Sequence, residues 1–161
     1  MNKKIIGIGE YAASSGDAIL VTLGLGSCVG VCIRDKKNMI GGMVHVMLPD
    51  SGGKENAKPG KYADTGLMLV LDEMKKIGSS SFNLEAKIAG GAAMFGNSSK
   101  TMDIGQRNIE AVKNMLKKNN IKIISEDVGG NRARSIEYSI SSGELMIKKV
   151  GGGEKVELFK I

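Results

Sequence analysis

The chain carries one histidine, His45, and two cysteines, Cys28 and Cys32. Any imidazole chemistry must therefore use His45, and any thiol chemistry one of two sulfurs. A thiol beside an imidazole equips a site for nucleophilic acyl transfer: the ring takes the thiol proton and the sulfur attacks a carbonyl. One of the thiols is approached through Leu23-Gly24-Leu25-Gly26-Ser27-Cys28. Two glycines before the sulfur permit a sharp turn that exposes it and frees backbone N–H groups. Amides near Ser27 and Cys28 are then candidates for an oxyanion hole, with Gly26 shaping the approach.

Spacing relates the thiol to the ring. Asp35-Lys36-Lys37-Asn38 is a polar turn between Cys28–Arg34 and Met39–Leu48, so the two apolar segments are expected to form a hairpin. A four-residue loop pairs Arg34 with Met39 and sets Cys28 directly opposite His45, with Cβ atoms about 5 Å apart. The same register puts Gly30 across from Met43 and Cys32 across from Gly41, leaving room beside the pair for a substrate. Val29, Val31, Ile33, Ile40, Val44, Val46 and Leu48 then form a core stripe on the other face. Taken singly, Cys28 and His45 also suit ordinary buried strand positions. No metal is expected: Cys28 and Cys32 lie about 13 Å apart on an extended strand, too far to share a zinc with His45. That distance also excludes a disulfide between them. Gly24-x-Gly26 does not read as a phosphate cradle, because an alternating, strand-like segment follows it.

The elements that must position these residues are mostly strands. Apolar alternation and turn residues predict strands at Lys4–Gly9, Ala18–Leu23, Cys28–Arg34, Met39–Leu48, Leu84–Ala89, Ile121–Asp127, Ser135–Ile140, Glu144–Val150 and Val156–Ile161. Leu67, Val70, Leu71, Met74 and Ile77 recur at helical spacing and stop at Gly78. A second helix opens at Asp103, with Gln106 three residues on, and ends at Asn119-Asn120. The fold class is α+β: a largely antiparallel sheet system with two main helices packed on it. A doubly wound parallel fold would need many more crossover helices.

With 161 residues, the chain reads as a single domain over 1–161. The net charge of +6 comes from scattered lysines, and three Tyr, three Phe and no Trp offer few stacking platforms, so nucleic acid is not an expected partner. The longest uncharged run, Ala18–Ile33, is 16 residues and broken by glycines, which speaks against membrane insertion. Two cysteines make no disulfide framework and no secretory leader is visible, so a cytoplasmic location with reduced thiols is expected.

Longer motifs add a resemblance. Val21-Thr22-Leu23-Gly24-Leu25-Gly26-Ser27-Cys28 and Gly42-Met43-Val44-His45-Val46-Met47-Leu48-Pro49-Asp50 resemble the CheD family of bacterial and archaeal chemotaxis proteins. Lys61-Tyr62-Ala63-Asp64, Lys87-Ile88-Ala89-Gly90-Gly91-Ala92, Ile104-Gly105-Gln106-Arg107-Asn108 and Glu126-Asp127-Val128-Gly129-Gly130-Asn131 follow in the same order. The resemblance implies an α/β sandwich shared with toxin deamidases and the conversion of chemoreceptor glutamines to glutamates without a cofactor. It puts the catalytic cysteine at Cys28, the histidine at His45 and a third member at Thr22, which by itself reads as an ordinary strand residue. It also implies two protein partners, the chemoreceptor cytoplasmic helices and the CheC phosphatase, the latter able to occlude the site. Two other functions fit the same residues: a non-catalytic regulator of CheC, and a receptor glutamyl methylesterase. Phe95 suits either partner docking or a core plug beneath its loop, and Lys61 and Arg107 also suit plain solvated charges.

Overall fold

A computed structural model describes residues 2–55, 57–94 and 103–161. Phe95 lies outside them. Among the described residues, ten strands form two five-stranded sheets. The outer sheet has β1 (Lys3–Ile5), β3 (Ile19–Leu25), β8 (Ala133–Ser139), β9 (Leu145–Val150) and β10 (Glu157–Lys160), in that spatial order. The central sheet is ordered β2 (Tyr11–Ser15), β5 (Ile40–Val46), β4 (Val29–Asp35), β6 (Glu85–Gly90) and β7 (Lys122–Val128). Among the strands of the described residues, only β1–β3 and β6–β7 pair in parallel. Helices α1 (Ala63–Lys76) and α2 (Ile104–Lys118) cover the far face of the central sheet. The architecture is therefore an α+β sandwich, as the strand and helix patterns imply.

Strands alternate their side chains between faces, and here both faces of the central sheet are covered. Val29, Val31, Ile33, Ile40, Val44 and Val46 pack against Leu67, Val70 and Met74 of α1 and Ile109, Val112 and Leu116 of α2. Full burial of each such side chain contributes about 1.5–3 kcal/mol. Met43 and Cys32 face the other way, into a second core with Leu20, Leu25, Ile136, Tyr138 and Ile140 of the outer sheet or its flanks. Burial on both sides explains why every residue of β4 and β5 is buried.

The expected hairpin forms in a different register. Asp35 pairs with Ile40 and Arg34 with Gly41, so His45 faces Gly30 rather than Cys28, and Cys32 faces Met43. Asp35 stays in the strand because its buried carboxylate accepts hydrogen bonds from the Asn38 amide and side chain and from the Ser80 amide. Met39 takes a left-handed turn at φ 54° in its place. The change moves each pairing by two residues. Pairing stops at Val29–Val46; extended one residue, it would set Cys28 diagonal to His45 on the same face. No hydrogen bond joins Cys28 to His45 Nε2 among the described residues. Nor does Gly30 leave room for substrate. A Cβ there would lie 2.7 Å from Ile136 Cδ1 and 3.2 Å from Leu25 Cδ1, so core side chains already fill the space.

Candidate active site

The thiol sits where the chain steps between sheets. β3 belongs to the outer sheet and β4 to the central one, and Gly26-Ser27-Cys28 connects them. A bulge prepares the step: Thr22 pairs with Ile136 but Leu25 pairs with Arg134, so three residues of β3 span two of β8. Gly24 takes φ 67° within it. Strict alternation would place Thr22 and Leu25 on opposite faces. With the bulge both are buried in the interlayer, while Leu23 turns out to solvent at 57% exposure.

Three successive carbonyls of the step are tied to the scaffold. Gly26 O accepts from the Ala92 amide at 2.8 Å and Cys28 O from the Gly91 amide at 2.8 Å. Ser27 O accepts from Asn108 Nδ2 at 3.0 Å. The close approach requires glycine: at Gly90, φ 112°, a Cβ would overlap the Cys28 carbonyl. With the carbonyls held on one side, the amides of Ser27 and Cys28 donate to no acceptor among the described residues. Free N–H groups beside a thiol can hold a developing oxyanion.

Thr22 and His45 meet across the two sheets. Thr22 Oγ1 donates its only proton to the Ile6 carbonyl at 2.6 Å and lies 2.7 Å from His45 Nδ1. A carbonyl cannot donate, so the hydroxyl has only lone pairs left for the ring. Nδ1 therefore carries the hydrogen, and Nε2 presents its lone pair. Nε2 is buried and makes no hydrogen bond among the described residues. His45 and Thr22 are buried, and so is Cys28, at 9% exposure. The glycine turn does not expose the sulfur as expected, because the thiol packs into the interlayer core.

Burial sets the charge state. Desolvation pushes the His45 pKa down to about 4, so the ring is neutral at neutral pH with its Nε2 lone pair unprotonated. Burial raises the Cys28 thiol. Cys32 is raised further by complete burial, only partly offset by Lys87, and is the less reactive thiol. The resting pair is thus thiol and imidazole rather than thiolate and imidazolium. Thr22 orients the ring without a charge that would hold it protonated.

Exposed apolar residues adjoin the site. Leu23 and Met47 are exposed on the segments that carry Thr22 and His45, and Met94 (45% exposed) stands beside the step, its Cγ 3.2 Å from where a Gly26 Cβ would be. A groove of about 620 Å³ along α1 and α2, lined by Met68, Leu69 and Met115 among others, lies elsewhere.

Of the residues singled out by sequence, Thr22 and His45 are in contact, and Cys28, Ser27 and Gly26 form the adjoining step. Arg107 is exposed on α2. Lys61 lies in a 3-10 turn, Pro59–Lys61, whose Lys61 carbonyl accepts from the Met47 and Leu48 amides. Asn108 escaped notice on residue grounds. Its signal was a lone polar side chain on the stripe Gly105, Ile109, Val112, Leu116.

A two-sheet sandwich holding a thiol, an imidazole of fixed tautomer and free backbone amides at one edge has the equipment of an acyl-transfer site. Comparison with known proteins narrows that class. A family model described as CheD chemotactic sensory transduction matches residues 47–149, beginning just after His45. The chain is 59% identical over 159 residues to the chemoreceptor glutamine deamidase CheD of Thermotoga maritima, covering 99% of each. It is 44% identical over 154 residues to a probable chemoreceptor glutamine deamidase CheD of Pyrococcus abyssi, covering 94% of each. A protein of the same description from Clostridium kluyveri is 46% identical over 153 residues, with 93% of this chain and 94% of that one covered. The chain belongs to the CheD family.

Proposed function

We propose that this protein is a chemoreceptor glutamine deamidase that works through Cys28, His45 and Thr22. The observation that carries the reading is the shared Thr22 hydroxyl. Its proton goes to Ile6 O, so it holds His45 with the Nε2 lone pair free on the face that Cys28 shares. The relatives' names supply the substrate class.

His45 Nε2 takes the Cys28 proton as the sulfur attacks the carboxamide carbon of a receptor glutamine. The Ser27 and Cys28 amides donate hydrogen bonds to the carbonyl oxygen as it becomes negatively charged. His45 returns the proton to the leaving nitrogen, ammonia departs, and a thioester remains. A water deprotonated by Nε2 attacks the thioester carbon. The C–S bond breaks, the sulfur regains its proton, and glutamate is released. The ring is charged only in passing, in keeping with its lowered pKa. Contacts left open in the free protein, such as that of Nε2, close when substrate arrives.

The substrate is a receptor's cytoplasmic helix, which lays its apolar side on Leu23, Met47 and Met94 and presents a glutamine to the thiol. The protein acts in the cytoplasm. CheC regulates it by covering the same rim. Purified protein incubated with a receptor cytoplasmic fragment should release ammonia, detected by an enzymatic assay. Release of methanol from a methylated fragment, with no ammonia from the glutamine form, would replace deamidation with ester hydrolysis.

A further inference from the structure

Asn108 is fully buried in α2, among side chains that are otherwise apolar. Its Nδ2 donates one hydrogen to Ser27 O at 3.0 Å and the other to Met47 O at 2.9 Å. Its Oδ1 is buried and has no partner among the described residues. The two acceptors belong to different parts of the site. Ser27 precedes the thiol, and Met47 lies two residues beyond His45, just past the end of β5. Backbone pairing of β4 with β5 stops at Val29–Val46. Immediately beyond that last rung the carboxamide spans the gap, bonding the step that carries Cys28 to the strand end that carries His45.

Packing alone does not account for asparagine here. An apolar side chain of similar size would extend the stripe of Ile109, Val112 and Leu116 without stranding an oxygen, and a stranded buried acceptor costs stability. Asn108 is also fixed at close range. A Cβ at Gly105, one turn earlier, would lie 2.5 Å from Ala92 O and 2.6 Å from Gly91 O, so α2 abuts the segment that holds the Gly26 and Cys28 carbonyls.

We infer that Asn108 is a positioning residue whose carboxamide clamps Ser27 to Met47 and so sets the alignment of Cys28 with His45 for proton transfer. The inference rests on the deamidase reading above. Asn108 does not meet the substrate, so its loss lowers the chemical step and spares binding.

The test compares wild type, Cys28→Ala, Asn108→Ala, Asn108→Leu and Val112→Ala by ammonia release from a receptor cytoplasmic fragment. Folded fraction and melting temperature are followed by circular dichroism. Asn108→Ala is expected to lose about 10²-fold in kcat, the scale of an ångström-level misplacement, with KM within about threefold of wild type. Val112→Ala weakens the same helix without touching the clamp and keeps kcat per folded molecule. If Asn108→Ala does not fold, Asn108→Leu keeps the volume, lacks both donors and carries the same expectation. A kcat for the folded Asn108 variants within about threefold of wild type would overturn the inference, as would equal losses of kcat in Asn108→Ala and Val112→Ala. Full activity in the Asn108 variants beside an inactive Cys28→Ala removes the clamp alone. Activity in Cys28→Ala removes Cys28 as the nucleophile and the clamp with it, and absence of ammonia from the wild type removes the deamidase reading itself.

Discussion

Replacing Thr22 with valine removes one oxygen and keeps the side-chain volume. That oxygen does two jobs: it donates to Ile6 O at 2.6 Å and faces His45 Nδ1 at 2.7 Å. In the wild type, the wrong ring tautomer, with hydrogen on Nε2, requires the hydroxyl to turn from Ile6 and donate to Nδ1. The Ile6 carbonyl would then be left buried without a donor, which costs about 1–3 kcal/mol. That gap suppresses the wrong tautomer by about 5- to 150-fold. Thr22→Val abolishes the preference, which by itself only about halves the competent tautomer. It also removes the contact that orients the ring, and with that misplacement kcat should fall by about 10- to 100-fold while KM stays near wild type. Thr22→Ser retains the hydroxyl and should stay within about threefold. Because His45 is the only histidine, nitrogen NMR of histidine-labelled protein reads its tautomer without assignment work. The wild type should show hydrogen on Nδ1, and Thr22→Val a mixture. A wild-type ring with hydrogen on Nε2, or a Thr22→Val enzyme of undiminished kcat, would refute the tautomer argument.

Two further outcomes follow from the same geometry. A ring held at a pKa of about 4 when folded takes up its proton less readily than the unfolded chain, whose histidine titrates at about 6.5. Folding stability is therefore full above pH 6.5 and declines as pH falls toward 4, by about 3 kcal/mol in all. Urea unfolding of wild type and His45→Gln at successive pH values should show this slope only in the wild type; parallel curves would contradict it. Gly90→Ala meets the Cys28 carbonyl at a positive φ, so it should lower both the melting temperature and kcat. An alanine variant with wild-type kinetics would show that the step is not held from that side.

The faces of the central hairpin were readable in the sequence and its register was not, for one reason. Side-chain direction repeats every two residues, so Val29, Val31 and Ile33 point to the helices in either alignment. What decides between alignments is whether Asp35 belongs to turn or strand, and that depends on its bonds to Ser80, 45 residues away. The glycines before Cys28 announced an unusual backbone. The bulge that brings Thr22 and Leu25 to one face, however, is defined against β8, which is remote in sequence. β2 was missed because Tyr11-Ala12-Ala13-Ser14-Ser15 has no β-branched residue; it is a strand through its pairing with β5. Thr22 needed the family resemblance, since one threonine in a strand carries no chemical signal. The first helix begins at Ala63, four residues before its periodicity shows. The half of the capping box predicted at Asp103 is present, its carboxylate accepting from the Gln106 amide at 2.9 Å.

The most direct test of the catalytic proposal is peptide mass spectrometry of a chemoreceptor cytoplasmic fragment treated with wild type or with Cys28→Ala. The proposed chemistry requires the glutamine-to-glutamate mass change at discrete positions with wild type and none with the variant. The same change at the same positions with Cys28→Ala would contradict it.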